Sequence, residues 1–224
     1  MLKILIILIL ALLAALIVPS GYEGLRSQLL DSGIGWTTTD WMYYLLLILF
    51  GIALSIVTFH LLPKSATWKK ISACIVLAFL PFVLGFVQHP IYEDMLWDLG
   101  QDMTKVEATV DYDDADLVVI AIADCPFCKR AVKDMKLMNQ RNPNLRMRMV
   151  VCTADSSWLE PYRTEADGAF EVVMATDMDV MVTHAGGHFP AYVLVRDGKT
   201  ARRWTNNEWG PVAKDIVERM ANGE

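Results

Sequence analysis

The chain is poor in cysteine and has no excess of basic residues, and each shortage excludes a class of protein. Its 224 residues include four cysteines, of which only two lie close together in the sequence. A small scaffold stapled by several disulfides is therefore excluded. The net charge is −6, and no basic stripe with interleaved aromatic residues runs along the chain. Nucleic acid is accordingly not an expected partner.

The sequence also lacks the ligand sets of common metal and cofactor sites. A structural zinc site needs four Cys or His side chains, whereas this chain offers a single Cys-x-x-Cys pair with no second pair near it. No metal site and no cofactor are predicted.

Long hydrophobic runs are abundant before residue 90. The chain is 54% hydrophobic with a mean hydropathy of +0.33, which is too apolar for an ordinary soluble domain. We predict a membrane region over residues 1–90 with three helices at about residues 4–19, 41–62 and 71–88. The first run also fits a cleaved signal peptide, although an uncleaved anchor is favoured.

The basic residues that flank these helices predict their orientation. Lys3 precedes the first helix, Arg26 is alone between the first and the second, and three lysines lie between the second and the third (Lys64, Lys69 and Lys70). The positive-inside rule then places the N-terminus in the cytoplasm and the C-terminal domain outside it. We therefore expect a bacterial cytoplasmic (inner) membrane protein with a periplasmic domain.

Two smaller patterns lie in the second helix. Trp41, Tyr43 and Tyr44 at its start are typical of an aromatic belt at the bilayer interface. Gly51 and Ser55 form a small-xxx-small pair, which is a packing face in some membrane helices. Here we interpret the pair as chance neighbours in an apolar helix.

The chain after the third helix first becomes acidic and then globular in composition. We interpret residues 91–104 as an acidic stalk, and Val106–Tyr112 as a first strand because its apolar and polar residues alternate. Acidic runs are usually solvated surface. No site is assigned to them.

A pair of cysteines lies between a predicted strand and a predicted helix. The apolar run Val118–Ile122 leads to Cys125 and Cys128, and Lys129–Arg141 has the composition of a helix. The first turn of a helix has unpaired N–H groups and the positive end of the helix dipole, which favour a thiolate. Cys125 is therefore the predicted nucleophile and Cys128 the resolving thiol.

The neighbours of the cysteines are expected to tune them. Pro126 suits the first helical turn, where its missing N–H costs nothing. Lys129 and Arg130 add positive potential that favours the thiolate. Asp124 opposes this, and its favoured role is to cap the helix.

A second motif lies far downstream: Gly186-Gly187-His188-Phe189-Pro190, then an apolar strand and an Asp-Gly turn. Together with the dithiol it resembles the thioredoxin-like superfamily, in particular membrane-anchored extracytoplasmic domains. The resemblance implies an α/β domain over residues 105–224 with a central mixed sheet flanked by helices. It also implies that Pro190 is a cis-proline packed against the dithiol, with Phe189 before it. The Pro126-Phe127 dipeptide is more similar to glutaredoxins, which leaves the redox direction open.

The separation of Cys128 from Pro190 requires an inserted strand-helix unit, for which we predict Phe170–Ala175 and Asp177–His184. The remaining predicted elements are two strands and two helices: Leu145–Cys152, Thr200–Thr205, Trp158–Asp167 (with Ser156-Ser157 as cap) and Trp209–Met220.

Thiol–disulfide exchange with protein thiols and disulfides is the predicted activity, with another membrane redox protein or complex as a further partner. One alternative is a non-catalytic assembly or binding subunit of a membrane complex. Another is copper delivery, because Met147, Met149, His184 and His188 could supply soft ligands beside the dithiol. His188 is otherwise expected to tune the dithiol or to lie at the surface, and Cys152 to be a core thiol.

Overall fold

The computed structural model describes residues 21–62, 67–89, 101–102, 112 and 115–223. The predicted helix at about residues 4–19 lies outside the described residues, as do nearly all of the predicted stalk and of the strand over 106–112. The chain divides into two compact units, Met1–Ile91 and Tyr92–Glu224.

The described part of the first unit is helical. It contains α1 (residues 21–31), α2 (Trp36–Leu61) and α3 (Thr67–Gln88). Two segments, Trp36–Leu61 and Lys70–Gln88, are long and apolar enough to cross a membrane, which by length and composition alone is weak support for a membrane span.

Helix α2 begins five residues before the predicted position because α1 supports its polar first turns. Asp40 lies in this extension and is buried. The hydroxyl of Tyr22 donates to its carboxylate over 3.2 Å, and the Arg26 guanidinium lies 3.6 Å away. A buried carboxylate is tolerated where such partners surround it.

The small residues of α2 face α3. Gly51 is buried, and a Cβ atom at this position would collide with the backbone carbonyl of Ala78. One turn later, the Cys74 thiol donates to the backbone oxygen of Ser55 over 3.6 Å. The interpretation of Gly51 and Ser55 as chance neighbours is therefore wrong, since they form the close contact between two helices.

The three aromatic residues of the predicted belt differ in exposure. Trp41 is 47% exposed, whereas Tyr43 and Tyr44 are 5% and 4% exposed. The two tyrosines pack in a cluster with Phe82 of α3. The two tyrosines therefore stabilise the packing of α2 on α3, since buried aromatic side chains remove large apolar areas from solvent.

The described part of the second unit forms a six-stranded mixed sheet with helices on both faces. Its strands are β1 (Gln101–Asp102), β2 (Leu117–Ile122), β3 (Met147–Cys152), β4 (Glu171–Met174), β5 (Ala191–Arg196) and β6 (Lys199–Thr205). Its helices are α4 (Pro126–Arg141), α5 (Leu159–Ala166), α6 (Met178–Ala185) and α7 (Pro211–Ala221), and a 3₁₀ turn covers Ser156–Trp158.

The strand order is β1-β6-β5-β2-β3-β4. Strands β2, β3 and β4 are parallel, β5 runs antiparallel to β2, and β6 runs antiparallel to β5. Strand β2 is central and has no exposed face, since Leu117 to Ala121 are all fully buried. Its apolar run without alternation reflects burial on both faces.

Side chains from alternate strand positions build two layers. One layer packs Val118, Ile120 and Val150 with Met181 and Ala185 of α6. The opposite face carries α4 and α7, which two ion pairs connect: Arg141 with Glu218 at 2.8 Å and Lys214 with Asp134 at 2.7 Å.

The predicted elements of this unit that lie within the described residues are present with shifted ends. Helix α4 begins at Pro126 with Cys125 as its N-cap, so Pro126 lies in the first turn as predicted, and the helix starts three residues before the predicted segment Lys129–Arg141. The predicted cap at Ser156-Ser157 is wrong, since the Asp155 carboxylate accepts the Ser157 N–H over 2.9 Å. Strand β4 extends the sheet beyond β3, and α6 follows it with Asp177 as its N-cap.

Candidate functional site

The dithiol lies where the central strand gives way to a helix. Strand β2 ends at Ile122, and a two-residue turn leads to Cys125 at the N-cap of α4. Cys125 and Cys128 form a disulfide with their Cα atoms 5.2 Å apart. Cys125 is 8% exposed and Cys128 is fully buried, so Cys125 is the more accessible sulfur.

The first turn of α4 surrounds the Cys125 sulfur with favourable dipoles. The backbone N–H of Cys128 donates to Cys125 Sγ over 3.1 Å. Pro126 occupies the first helical turn, where its missing N–H would in any case have no partner within the helix. A thiolate at Cys125 would be stabilised by this N–H and by the helix dipole.

Asp124 sets the turn before the dithiol and does not cap the helix. Its backbone is in the left-handed region at φ 50°, a conformation that Asp tolerates better than most residues. Its side chain is 72% exposed and lies 3.4 Å from the Lys129 ammonium. The favoured capping role is thus wrong: Cys125 is the cap, and Asp124 reduces the local positive charge by pairing with Lys129.

Phe127 and Arg130 lie on the outer side of the same turn. The Phe127 side chain is 47% exposed, and the Arg130 guanidinium lies 5.6 Å from the centre of its ring. The stacking keeps Arg130 near the dithiol.

The Phe189–Pro190 segment lies at the same edge of the sheet as the dithiol. The peptide bond between them is cis. Ala191, which begins β5, pairs with Ile120 of β2. Because β5 runs antiparallel to β2, the start of β5 and the end of β2 share one edge. Pro190 is buried, and Phe189 packs against the core.

Two other residues that the sequence singled out lie at this end of the sheet. His188 is exposed, and its Nδ1 lies 2.8 Å from the Gly186 carbonyl oxygen. Cys152 ends β3 opposite Ile122 and is a free, buried thiol. Burial raises the pKa of Cys152 to about 11, so it stays protonated near neutral pH.

The four candidate copper ligands lie on different elements: Met147 and Met149 in β3, His184 in α6 and His188 in the loop after α6. Met149 is fully buried and Met147 is 6% exposed. Val150 of β3 belongs to the layer packed on α6. Successive side chains of a strand point to opposite faces, so Met147 and Met149 face the other side of the sheet. His184 is buried in α6, where its Nδ1 lies 3.0 Å from the Tyr112 hydroxyl. Within the described residues, no group of three or more His, Cys, Asp or Glu could hold a metal ion.

Tyr162 is a residue of the site that the sequence did not single out. It is 1% exposed, and its hydroxyl donates to the Ile122 carbonyl oxygen over 2.8 Å. Burial raises its pKa, an effect that hydrogen bonding with the Cys125 backbone opposes. Tyr162 thus fixes α5 against the dithiol turn. Its position within a predicted helix gave no signal of this contact.

Comparison with known proteins adds little to this geometry. No family model matches the chain, and no curated protein matches it. The chain is similar to a solved structure of a secreted Mycobacterium tuberculosis disulfide oxidoreductase homologous to E. coli DsbE, at 17% identity and a TM-score of 0.37, over 48% of this chain and 80% of that one. A likeness at that TM-score supports no conclusion. The fold rests instead on the described strands and helices, which form a mixed sheet flanked by helices with the dithiol after β2 and Pro190 before β5.

Proposed function

We propose that this chain is a membrane-tethered thiol–disulfide oxidoreductase that acts on protein thiols and disulfides outside the cytoplasm. In this proposal Cys125 is the nucleophile and Cys128 the resolving thiol. The single observation that carries the proposal is the placement of a redox-capable pair, formed as a disulfide, at the N-terminus of α4 with the Cys128 N–H directed at Cys125 Sγ.

The reaction transfers two electrons without a cofactor. In the reducing direction, the Cys125 thiolate attacks one sulfur of a substrate disulfide and releases the other sulfur as a thiolate. The Cys128 thiolate then attacks Cys125 Sγ and releases the second substrate sulfur. The protons that leave Cys125 and Cys128 end on the two substrate thiols. The oxidising direction is the reverse of these steps.

Phe189 and Pro190 are proposed to border the reacting sulfurs. Their place before β5, at the same edge as Cys125, supports this role. A substrate chain in extended form could form hydrogen bonds with the backbone of this segment. Lys129 and Arg130, in the first turns of α4, would add positive potential near the reacting sulfurs. His188 and Phe127, both exposed, are proposed to shape the rim.

Tethering to the inner membrane rests on the apolar helices. Large apolar side chains of α2 and α3 are exposed, Phe50, Val76 and Phe79 among them. Only 33% and 22% of the two most apolar windows is buried within the protein. Such surfaces are suited to lipid and not to water. Lys64, which lies between α2 and α3 in the sequence, and Lys69 and Lys70 in the first turn of α3 favour a cytoplasmic loop and hence a periplasmic domain.

Trapping of a mixed disulfide tests the proposal. In a Cys128→Ala chain the second step cannot occur, so Cys125 should accumulate as a covalent adduct with substrate proteins. The adducts should disappear on reduction and be absent from the Cys125→Ala chain. Absence of adducts, together with failure of reduced Cys125 to react with a thiol reagent in the folded protein, would favour the binding subunit instead.

A further inference from the structure

A cationic groove lies beside the dithiol, between α4 and α5. It has a volume of about 430 Å³ and is lined by Pro126, Lys129, Arg130, Val132, Lys133, Pro161, Tyr162 and Glu165. Pro126 directly follows Cys125 and lies in the first turn of α4, so one end of the groove is at the turn that carries the nucleophilic cysteine.

The charges of the groove are unbalanced. Its three cations, Lys129, Arg130 and Lys133, are all exposed, and Glu165 is the one carboxylate in its lining. The chain as a whole carries a net charge of −6. An anionic substrate would thus be repelled by much of the molecule and attracted at this groove.

The three cations differ in how readily they could contact a bound anion. Lys129 pairs with the exposed Asp124 at 3.4 Å, a contact that water screens strongly. Arg130 stacks on the Phe127 ring, an interaction that leaves its N–H donors available. Lys133 forms no ion pair within the part of the chain that the structure describes.

The floor of the groove is rigid. Tyr162 is buried and its hydroxyl holds the end of β2, while Pro161 has a fixed backbone φ. A bound segment therefore meets a preformed surface, and little ordering of the protein opposes binding.

We infer that this groove binds an acidic segment next to the substrate disulfide, so that polypeptides with carboxylates near the reacting cysteine are preferred. The inference rests on the proposed function and adds the substrate class to it. Lys133 follows Cys125 by eight residues, which is about 12 Å along a helix. An extended chain covers that length in about four residues, so the carboxylates are expected two to four residues from the substrate cysteine.

Three matched cystine peptides test the preference. They share length and cysteine spacing and carry Glu, Gln or Lys at the flanking positions. The reduced full-length chain in non-ionic detergent is mixed with each peptide, and its oxidation is followed as the two protein thiols become a disulfide and the peptide becomes a dithiol. At low salt the Glu peptide should react about tenfold faster than the Gln peptide, and the Lys peptide should be slowest.

Two substitutions with the same change in net charge separate the groove from the overall charge. Lys133→Glu should bring the ratio of Glu-peptide to Gln-peptide rates close to one or below it. Lys199→Glu should leave the ratio unchanged. Lys199 is exposed at the β5–β6 turn, at the end of the sheet away from the dithiol. Lys129 and Arg130 are left intact because their charges also act on the Cys125 thiolate.

Salt provides a check that needs no variant. Raising the ionic strength to about 1 M shortens the Debye length to about 3 Å, so the wild-type ratio should fall towards one. Equal rates for all three peptides, or an unchanged ratio in Lys133→Glu or at high salt, would overturn the inference while leaving the proposed function intact. Failure of the wild-type chain to exchange with any of the peptides would instead overturn the proposed function.

Discussion

Asp116 shows how one side chain ties two strands together, at the end of the sheet opposite the dithiol. Its carboxylate accepts hydrogen bonds from the Arg146 backbone N–H at 3.0 Å and from the Arg146 guanidinium at 2.7 Å. Burial on its own would raise the pKa of Asp116, but these contacts outweigh it and hold the pKa below its ordinary value. The ionised form is therefore favoured in the folded chain.

The Asp116–Arg146 contact predicts an acid-dependent stability. Because the folded pKa is lowered, the stabilisation is present above the ordinary pKa of 3.8 and is lost as the pH falls through the lower folded value. Asp116→Asn should cost about 1 kcal/mol at pH 7, and the difference from wild type should shrink below about pH 4. Thermal unfolding of the full-length wild-type and Asp116→Asn chains, at pH 7 and again below about pH 4, measures this difference in stability.

The matched control is Asp197→Asn, at an exposed turn residue that forms no ion pair among the described residues. Asparagine also tolerates the left-handed conformation of Asp197 at φ 52°, so the backbone is not disturbed. A cost at Asp116 that persists undiminished at low pH would contradict the assignment to the charged carboxylate.

Helix α4, which presents the dithiol, is held in place by α7. The Arg141–Glu218 pair is nearly buried, at 12% and 9% side-chain exposure, and the Arg141 guanidinium donates to both carboxylate oxygens of Glu218. Such bidentate pairs fix an orientation as well as a distance. The position of Cys125 thus depends on a helix far along the chain.

Removal of one partner should be costly. Glu218→Ala removes the bidentate partner of Arg141 from a nearly buried place and should destabilise the chain by about 3 kcal/mol. Arg219→Ala, at the exposed neighbouring position of α7, should cost less than about 0.5 kcal/mol. Denaturant unfolding of the full-length chain followed by Trp fluorescence compares them, and equal losses would rule out a role for the buried pair.

Helices α2 and α3 approach closely at Gly51, which predicts a sharp steric effect. Gly51→Leu places a side chain where the Ala78 backbone lies and should force the helices apart, at a cost of about 3 kcal/mol or more. Ala53→Leu, on the exposed face of α2, is the matched control and should be tolerated. Size-exclusion chromatography after heating in detergent measures the loss of folded chain. An unaffected Gly51→Leu chain would show that the helices do not pack at this point.

At the scale of the whole molecule, the proposed function requires the dithiol to lie outside the cytoplasm, where disulfides persist. Single cysteines placed in a chain without its own cysteines can locate each side. In spheroplasts, an impermeant maleimide should label Lys199→Cys in the C-terminal unit at once. It should label Ser65→Cys, between the second and third predicted helices, only after lysis.

The reverse pattern of labelling would place the C-terminal unit in the cytoplasm. The dithiol would then face a reducing compartment, where transient catalytic or redox-sensing roles are more common than disulfide formation. The proposed extracytoplasmic activity would be withdrawn, although the exchange chemistry of Cys125 would remain possible.

Local sequence patterns determined the elements and their chemistry. The Cys-Pro-Phe-Cys segment after a buried strand indicated a helix start because Pro suits the first helical turn. Apolar runs indicated β2, α2 and α3, and the spacing from Cys128 to Pro190 indicated the inserted β4 and α6. These features depend on neighbours in sequence, and the sequence contains that information directly.

Only the tertiary structure decided which distant groups meet. Asp124 pairs with Lys129 while Cys125 caps the helix, Tyr162 reaches the end of β2, and Gly51 lies against Ala78; none of these follows from periodicity. Lys133 became part of a groove because α5 packs beside α4. Long-range contacts depend on which faces of the elements pack together, and packing is set by burial across the whole chain and not by spacing along it.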